Sequence, residues 1–421
     1  MTDITLTQTQ GDAVKRTQAW YLQCKKEIAD KKPLSQQIWR VFGLAGTGKS
    51  TITKFALAQL GNLTVLAGCF TGKAALVLTR KGTPTTTIHS MCYKVQEPTK
   101  EAIENVKMEL AKLRETGPGD LDLILWRAMI RTREEAIKDM HRPIFVLNST
   151  GPASDAELIV LDEVSMVGPE MAADLMSFGK PILVLGDPGQ LPPIKGEGAF
   201  TQAEPDVMLT EIHRQAEDSA IIRLATMARE GKFIPYGKYS ESVFKMRKSE
   251  LGPVDMLMAE QVGCGFNATR LMLNNAMRDA AGRNSVLPNA DDKIICLKNR
   301  NDIGLVNGGF LTLSDIEEGG DYGFPAEIKT DDGKELGRMT IYKGHFLDHQ
   351  QWDKDRAQKD HWHKKGMVEA TFGNACTVHK LQGSGFLNMI LFDDGFGRGE
   401  DRAKWLYTGI TRAEDGLVIL A

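Results

Sequence analysis

Gly43, Gly46, Gly48, Lys49 and Ser50 stand in the order Gly-x-x-x-x-Gly-Lys-Ser within the segment GLAGTGKS. Glycines so spaced let backbone N–H groups close around phosphate oxygens, at a helix N-terminus whose dipole favours anions. The candidate phosphate contacts are Gly43, Ala45, Gly46, Thr47, Gly48, Lys49, Ser50 and Thr51, with Lys49 on the β/γ-phosphates and Ser50 on Mg²⁺. A second cluster is the apolar run Leu158–Leu161, which ends in Asp162 and Glu163. Asp162 suits a Mg²⁺ ion held through water, and Glu163 can polarise an attacking water. A third is GDPGQLPP, where prolines and glycines stiffen a turn around Gln190, a side chain able to sense a γ-phosphate. Taken alone, that loop reads equally well as structural.

These residues need elements to hold them. Ile38–Phe42 reads as a strand, 48–60 as a helix, and 63–69, 158–161 and 182–185 as further buried strands. Apolar runs alternating with helices are the mark of a parallel sheet covered on both faces. From about 99 to 140 the sequence turns charged and helical. Ile144-Phe-Val-Leu147, the turn-rich NSTGP and a second short strand then predict a hairpin. A second α/β pattern opens near Val262, with a helix over 268–281 and a strand at 294–297. Residues 300–370 break it with short strands at 310–313 and 339–342, and it resumes from Gly373 to the strand at 416–420.

Beyond the three clusters come TGKAA (Thr71–Ala75), TIH (Thr87–His89), EIHRQ (Glu211–Gln215), TVHKLQGSGF (Thr377–Phe386) and LYTGITRAED (Leu406–Asp415). In this order the series resembles superfamily 1 helicases of the RecD-like branch (superfamily 1B) and, in length, the compact phage helicases of the Dda type. The resemblance implies two RecA-like P-loop motor domains in an α/β fold. Residues 1–90 and 155–235 would form the first, with a pin insertion at 91–154. Residues 236–305 and 372–421 would form the second, with a small SH3-like β-barrel inserted at 306–371. It also implies that Gln10, in LTQTQ, reads adenine, and that Arg214 and Arg412 meet the γ-phosphate of ATP. Thr71, Lys73, His89, Thr377, His379 and Lys380 would line a single-strand track, and Asn267 and Arg270 match a further motif. The chain departs from the pattern at Phe70, where proline is frequent. It departs again at Leu381 and Gly385, where relatives carry serine and a sugar-contacting glutamate, which leaves ribose discrimination open.

The expected activity is ATP hydrolysis driving 5′→3′ movement on single-stranded DNA and unwinding of forks. The direction rests on the resemblance alone. An RNA helicase or a protein-remodelling P-loop ATPase is the alternative. ATP and Mg²⁺ are the implied cofactors. DNA forks and replication or recombination proteins are the implied partners of a monomer in the cytoplasm, that of a bacterial host if phage-encoded. The bulk composition fits a soluble protein: 42% hydrophobic, 25% charged, net charge −3. With no net positive charge, nucleic acid must bind in a local basic groove. No apolar run reaches the roughly 18 residues of a membrane span, and the polar start lacks a signal-peptide core. Six scattered cysteines without a CxxC pair suit reduced thiols rather than a disulfide or zinc framework. In 344–366, His361 and His363 have strand rather than metal-site spacing. Trp352 and Trp362 fit an aromatic-anchored charged surface, with stacking of either on a base as the alternative.

Overall fold

A computed structural model describes residues 6–421 except 62, 81, 97–99, 119–122, 141–143, 194–197, 212–218, 301 and 348–363. The first sheet contains β1 (Ile38–Gly43), β2 (Val65–Cys69), β3 (Thr85–Thr87), β6 (Leu158–Asp162), β7 (Ile182–Gly186) and β8 (Val207–Leu209). All pairs are parallel, in the order β3-β2-β6-β7-β1-β8. Alternate residues feed two cores. Leu158, Val160, Leu183 and Leu185 meet Val14, Trp20 and Tyr21 of helix Gln8–Ala29 and Ile52 of helix Lys49–Ala58. Ile159, Leu161, Ile182 and Val184 meet Ile88, Met91 and Leu175 on the other face. Both faces are covered by packed apolar side chains, which is why these strands read as unbroken apolar runs.

β4 (Tyr93–Gln96) and β5 (Ile144–Leu147) make an antiparallel ribbon joined at its far end by helices Lys100–Thr116 and Leu123–Met140. This corrects the expected hairpin: β5 pairs back with β4, not forward across 148–152. Pro152 instead opens the short helix Pro152–Asp155, whose Ala153 is buried in the first unit. Proline is pre-shaped for a first helical turn and cannot donate to a ladder.

The second sheet runs β17 (Ala375–Thr377), β11 (Gln261–Cys264), β18 (Phe386–Phe392), β19 (Ala413–Leu420), β10 (Val243–Met246), β9 (Gly237–Lys238), parallel except at β9. Helix Asn267–Ala280 covers one face through Leu273 and Met277. Helices Ala220–Arg229 and Gly399–Ile410 lie on the other, where Ile221, Leu224, Ala225 and Ala228 bury an i, i+3, i+4, i+7 stripe. That helix was expected within the first unit, which was drawn to 235; its apolar stripe packs with the second.

The remaining strands, β12 (Lys293–Cys296), β13 (Phe310–Ser314), β14 (Gly323–Thr330), β15 (Glu335–Tyr342) and β16 (Val368–Phe372), close a barrel. β12 was expected in the second α/β core. Instead Ile294 and Cys296 point into the barrel, while Ile295 packs with the second sheet's core. Short apolar runs do not reveal which sheet they join. Cys24, Cys69, Cys92, Cys264, Cys296 and Cys376 are all buried and free. Among the described residues, no helix is long and apolar enough to cross a membrane.

Candidate nucleotide site and strand path

The three sequence clusters converge on the carboxyl edge of the first sheet, after β1, β6 and β7, where ligands of open α/β sheets bind. Gly46 (φ 79°) and Gly48 (φ 81°) take the left-handed conformations that fold the loop into a nest of N–H groups. Gly43 is required for space: a Cβ there would come to 2.9 Å from the Leu209 Cβ. The Lys49 ammonium caps the loop's own carbonyls, at 2.6 Å from the Gly43 oxygen and 3.1 Å from that of Leu44, and lies 4.0 Å from the Asp187 carboxylate. Ala45, Thr47 and Thr51 lie on the loop and first helical turn with them. The Ser50 side chain, expected on Mg²⁺, lies outside the described residues.

Asp162 ends β6 and accepts the Glu163 N–H at 2.8 Å. Glu163 sits at φ 53°, ψ 45°, a left-handed conformation costing a non-glycine residue about 1–2 kcal/mol. Strain of this kind collects at functional sites. Gln190 is buried, and its Oε1 has no hydrogen-bond partner among the described residues, an orphan acceptor of the sort a water or ligand satisfies. Gln10 is the third residue of a capping box with Thr7, and its amide donates to the Thr47 carbonyl at 3.2 Å. It thus braces the phosphate loop from below.

The second unit reaches this edge through LYTGITRAED. Ala45 N–H donates to the Tyr407 hydroxyl at 2.9 Å, and that hydroxyl donates to Asp187 at 2.7 Å. Leu191, in GDPGQLPP, donates its N–H to the Thr408 hydroxyl at 2.9 Å, and its carbonyl accepts from the Gln382 amide at 3.1 Å. Sequence reading missed Asp187, Tyr407 and Thr408 as site residues, although each lies inside a quoted motif. Arg412 is buried, its guanidinium donating to the Thr408 and Ser384 carbonyls and the Thr411 hydroxyl. All three contacts lie within its own unit. Arg214 lies outside the described residues. At Gly385 the space a side chain would need is taken by the Glu414 carboxylate.

The strand-path candidates divide. Thr71 caps helix Gly72–Arg80, accepting from the Ala74 N–H, and sits against Gly383 of the second unit. Lys73 is buried and paired with Asp331 of the β14–β15 turn, while Arg80 pairs with Asp332 beside it. Its charge is therefore spent on the barrel in this conformation. His89 joins Phe70, Tyr93 and Phe145 in an aromatic cluster, its ring centre 5.0 Å from that of Phe145. Burial lowers the pKa of His89 and of His379, disfavouring the charged imidazolium at both. Thr377 and Lys380 line a cavity of about 190 Å³ with Asn267, Arg270 and His345, at the seam of the second sheet and barrel. The Arg270 Nε is buried there without a partner among the described residues. His361, His363, Trp352 and Trp362 lie outside the described residues. Among the described residues no cluster of three metal-ligating side chains occurs.

A family model described as an AAA domain matches residues 28–242, and one described as a UvrD-like helicase C-terminal domain matches residues 372–420. An ATP-dependent RecD2 DNA helicase of Deinococcus radiodurans is 34% identical over 87 residues, 19% of this chain and 12% of that protein. This chain thus spans about an eighth of that relative's length. In three dimensions it resembles a Pif1 helicase from Bacteroides in complex with ADP-AlF3 and single-stranded DNA. The TM-score is 0.54 at 15% identity, over 99% of this chain and 92% of that one. A second Bacteroides structure, Pif1 bound to single-stranded DNA, gives a TM-score of 0.52 at 17% identity, with the same coverage of both chains.

Proposed function

We propose that this chain, which belongs to the AAA-domain family whose model matches residues 28–242, is a superfamily 1B helicase that hydrolyses ATP to move 5′→3′ along single-stranded DNA and open forks. The observation that carries this reading is a single edge. Gly43–Ser50, Asp162, Glu163 and Gln190 share it, and the second unit grips the same edge at Ala45, Asp187 and Leu191. A site between two cores lets phosphate chemistry change how the cores dock.

The nest fits a triphosphate, and the Asp162 carboxylate fits a hard divalent cation. Ser50 and Asp162 would hold Mg²⁺, which neutralises charge on the β- and γ-phosphates when bound. Lys49 turns from the Gly43 and Leu44 carbonyls onto those phosphates. Glu163 orients a water that attacks the γ-phosphorus as the bond to the β-phosphate oxygen breaks, giving ADP and phosphate. Gln190 hydrogen-bonds that water or the γ-phosphate. Arg214 and Arg412 follow charge as it spreads over the transferred group. For Arg412 this requires release of its present carbonyl partners, a step tied to closure of the cores.

DNA would run across both units. Thr71, Thr377, His379 and Lys380 would offer hydroxyls, a ring and a cation to a backbone, with Asn267 and Arg270 beside Lys380. The β4–β5 ribbon is the candidate wedge. Val95, Phe145, Val146 and Leu147 are exposed on a two-stranded element outside both cores, where apolar surface calls for a partner. Gln10 would reach an adenine only by leaving the capping box. The test is unwinding of forked duplexes with a 5′ or a 3′ tail, in DNA and RNA. Opening of 5′-tailed DNA is expected. Opening from 3′ tails alone would overturn the polarity, and ATPase unaffected by single strands would favour the protein-remodelling alternative.

A further inference from the structure

Tyr407 is buried at the junction of the two units, 362 residues along the chain from the loop it touches. Its hydroxyl makes two hydrogen bonds. It accepts the Ala45 N–H at 2.9 Å and donates to Asp187 Oδ2 at 2.7 Å, while the Gly189 N–H holds the other oxygen of that carboxylate at 3.0 Å. The Lys49 ammonium stands 4.0 Å from the same Oδ2. A phosphate-loop amide and the loop's lysine are therefore both tied to a side chain of the second unit, one directly and one through Asp187. The ring lies close against Gly189, where an added Cβ would come to 2.9 Å from its Cε1.

We infer that Tyr407 is a positioning residue that reports the state of the phosphate loop to the second unit, its hydroxyl competing with bound phosphate for the loop's conformation. The inference rests on the reading of Gly43–Ser50 as a nucleotide site. Lys49 cannot serve a phosphate and keep its present carbonyl contacts. As the ammonium moves, Asp187 loses its nearby cation and the loop carrying Ala45 must open. Both changes act on the two bonds of one hydroxyl. Burial, then the Asp187 carboxylate, raises the phenol's pKa well above its ordinary value, so it stays a donor throughout the physiological range. Leu191, clamped by Thr408 and Gln382, gives a second grip on the GDPGQLPP loop. Loss of the Tyr407 bonds would thus loosen one side of the junction while the other holds it.

Tyr407→Phe keeps the ring and removes both bonds. The test measures the Kd of a fluorescent ADP and its displacement by pyrophosphate, with thermal midpoints to confirm folding. Because binding no longer has to break the hydroxyl's contacts, ADP and pyrophosphate should each bind roughly three- to tenfold more tightly, the range of a typical net hydrogen bond. Single-stranded DNA should also change ADP affinity less than in the parent. A merely structural role would not improve pyrophosphate binding. Tyr407→Leu must show the same gain, which keeps the test alive if the phenylalanine variant folds poorly. Unchanged or weaker binding in both variants, or a gain for ADP without one for pyrophosphate, overturns the role of Tyr407. Failure of the parent itself to bind either ligand overturns the underlying site as well.

Discussion

Asp292 offers a sharp test of how the barrel is fastened to the second unit. Its carboxylate is 0% exposed and accepts from Arg278 Nε at 3.1 Å, Arg283 Nη1 at 2.8 Å and the Asn289 N–H at 2.8 Å. Arg278 projects from helix Asn267–Ala280 and lies 4.0 Å over the Phe372 ring of β16, so the cluster joins that helix to the barrel root. Asp292→Ala would strand two guanidinium groups. Breaking a buried pair from one side costs about 3–5 kcal/mol. Here Arg278 keeps the Ser285 and Leu287 carbonyls and the Asn289 side chain, and Arg283, 29% exposed, can turn to water. The lower end, about 3 kcal/mol, is therefore expected. At about 2–4 °C per kcal/mol for a unit of this size, the midpoint should fall by about 6–12 °C. Calorimetry and urea titration of the variant, with Arg283→Ala and the double variant completing a cycle, would measure it. A loss under about 1 kcal/mol would refute the reasoning, since it would mean the stranded cations are not in a low-dielectric site.

Arg412→Ala should still bind nucleotide through Gly43–Ser50 yet lose about 10³–10⁵ in turnover; a loss below tenfold would remove Arg412 from the chemistry. Phe145→Ala should lower unwinding more than DNA-stimulated ATPase, and equal loss of both would make the ribbon a structural cover. For His89 and His379, burial sets the folded pKa below the unfolded value, so the unfolded chain binds more protons as pH falls. Stability present above about pH 6.5 should therefore decline below it, and should decline less steeply in a variant with glutamine at both positions. An identical pH profile would show that these rings do not carry the effect.

The nucleotide edge was legible in the sequence because its parts are local. Glycines at 46 and 48 meet a demand for positive φ within one loop, and the apolar runs before Asp162 and before GDPGQLPP are strands whose carboxyl ends share one edge of a parallel sheet. The two α/β units and the existence of a small β insertion followed from the same local patterns. What the sequence could not settle were contacts between distant segments. Whether Ile144–Leu147 pairs forward or back, and whether Lys293–Cys296 joins a sheet or a barrel, depends on which partner edge is available after collapse. A lysine at 73 reads as a free cation until a β-turn 258 residues later places Asp331 on it. Likewise Tyr407 is one aromatic residue in a motif until packing sets its hydroxyl between Ala45 and Asp187. Period and composition record only what each segment can bury. Which charge meets which, and which hydroxyl completes which loop, is decided by tertiary distance and by desolvation, which makes those polar pairings obligatory.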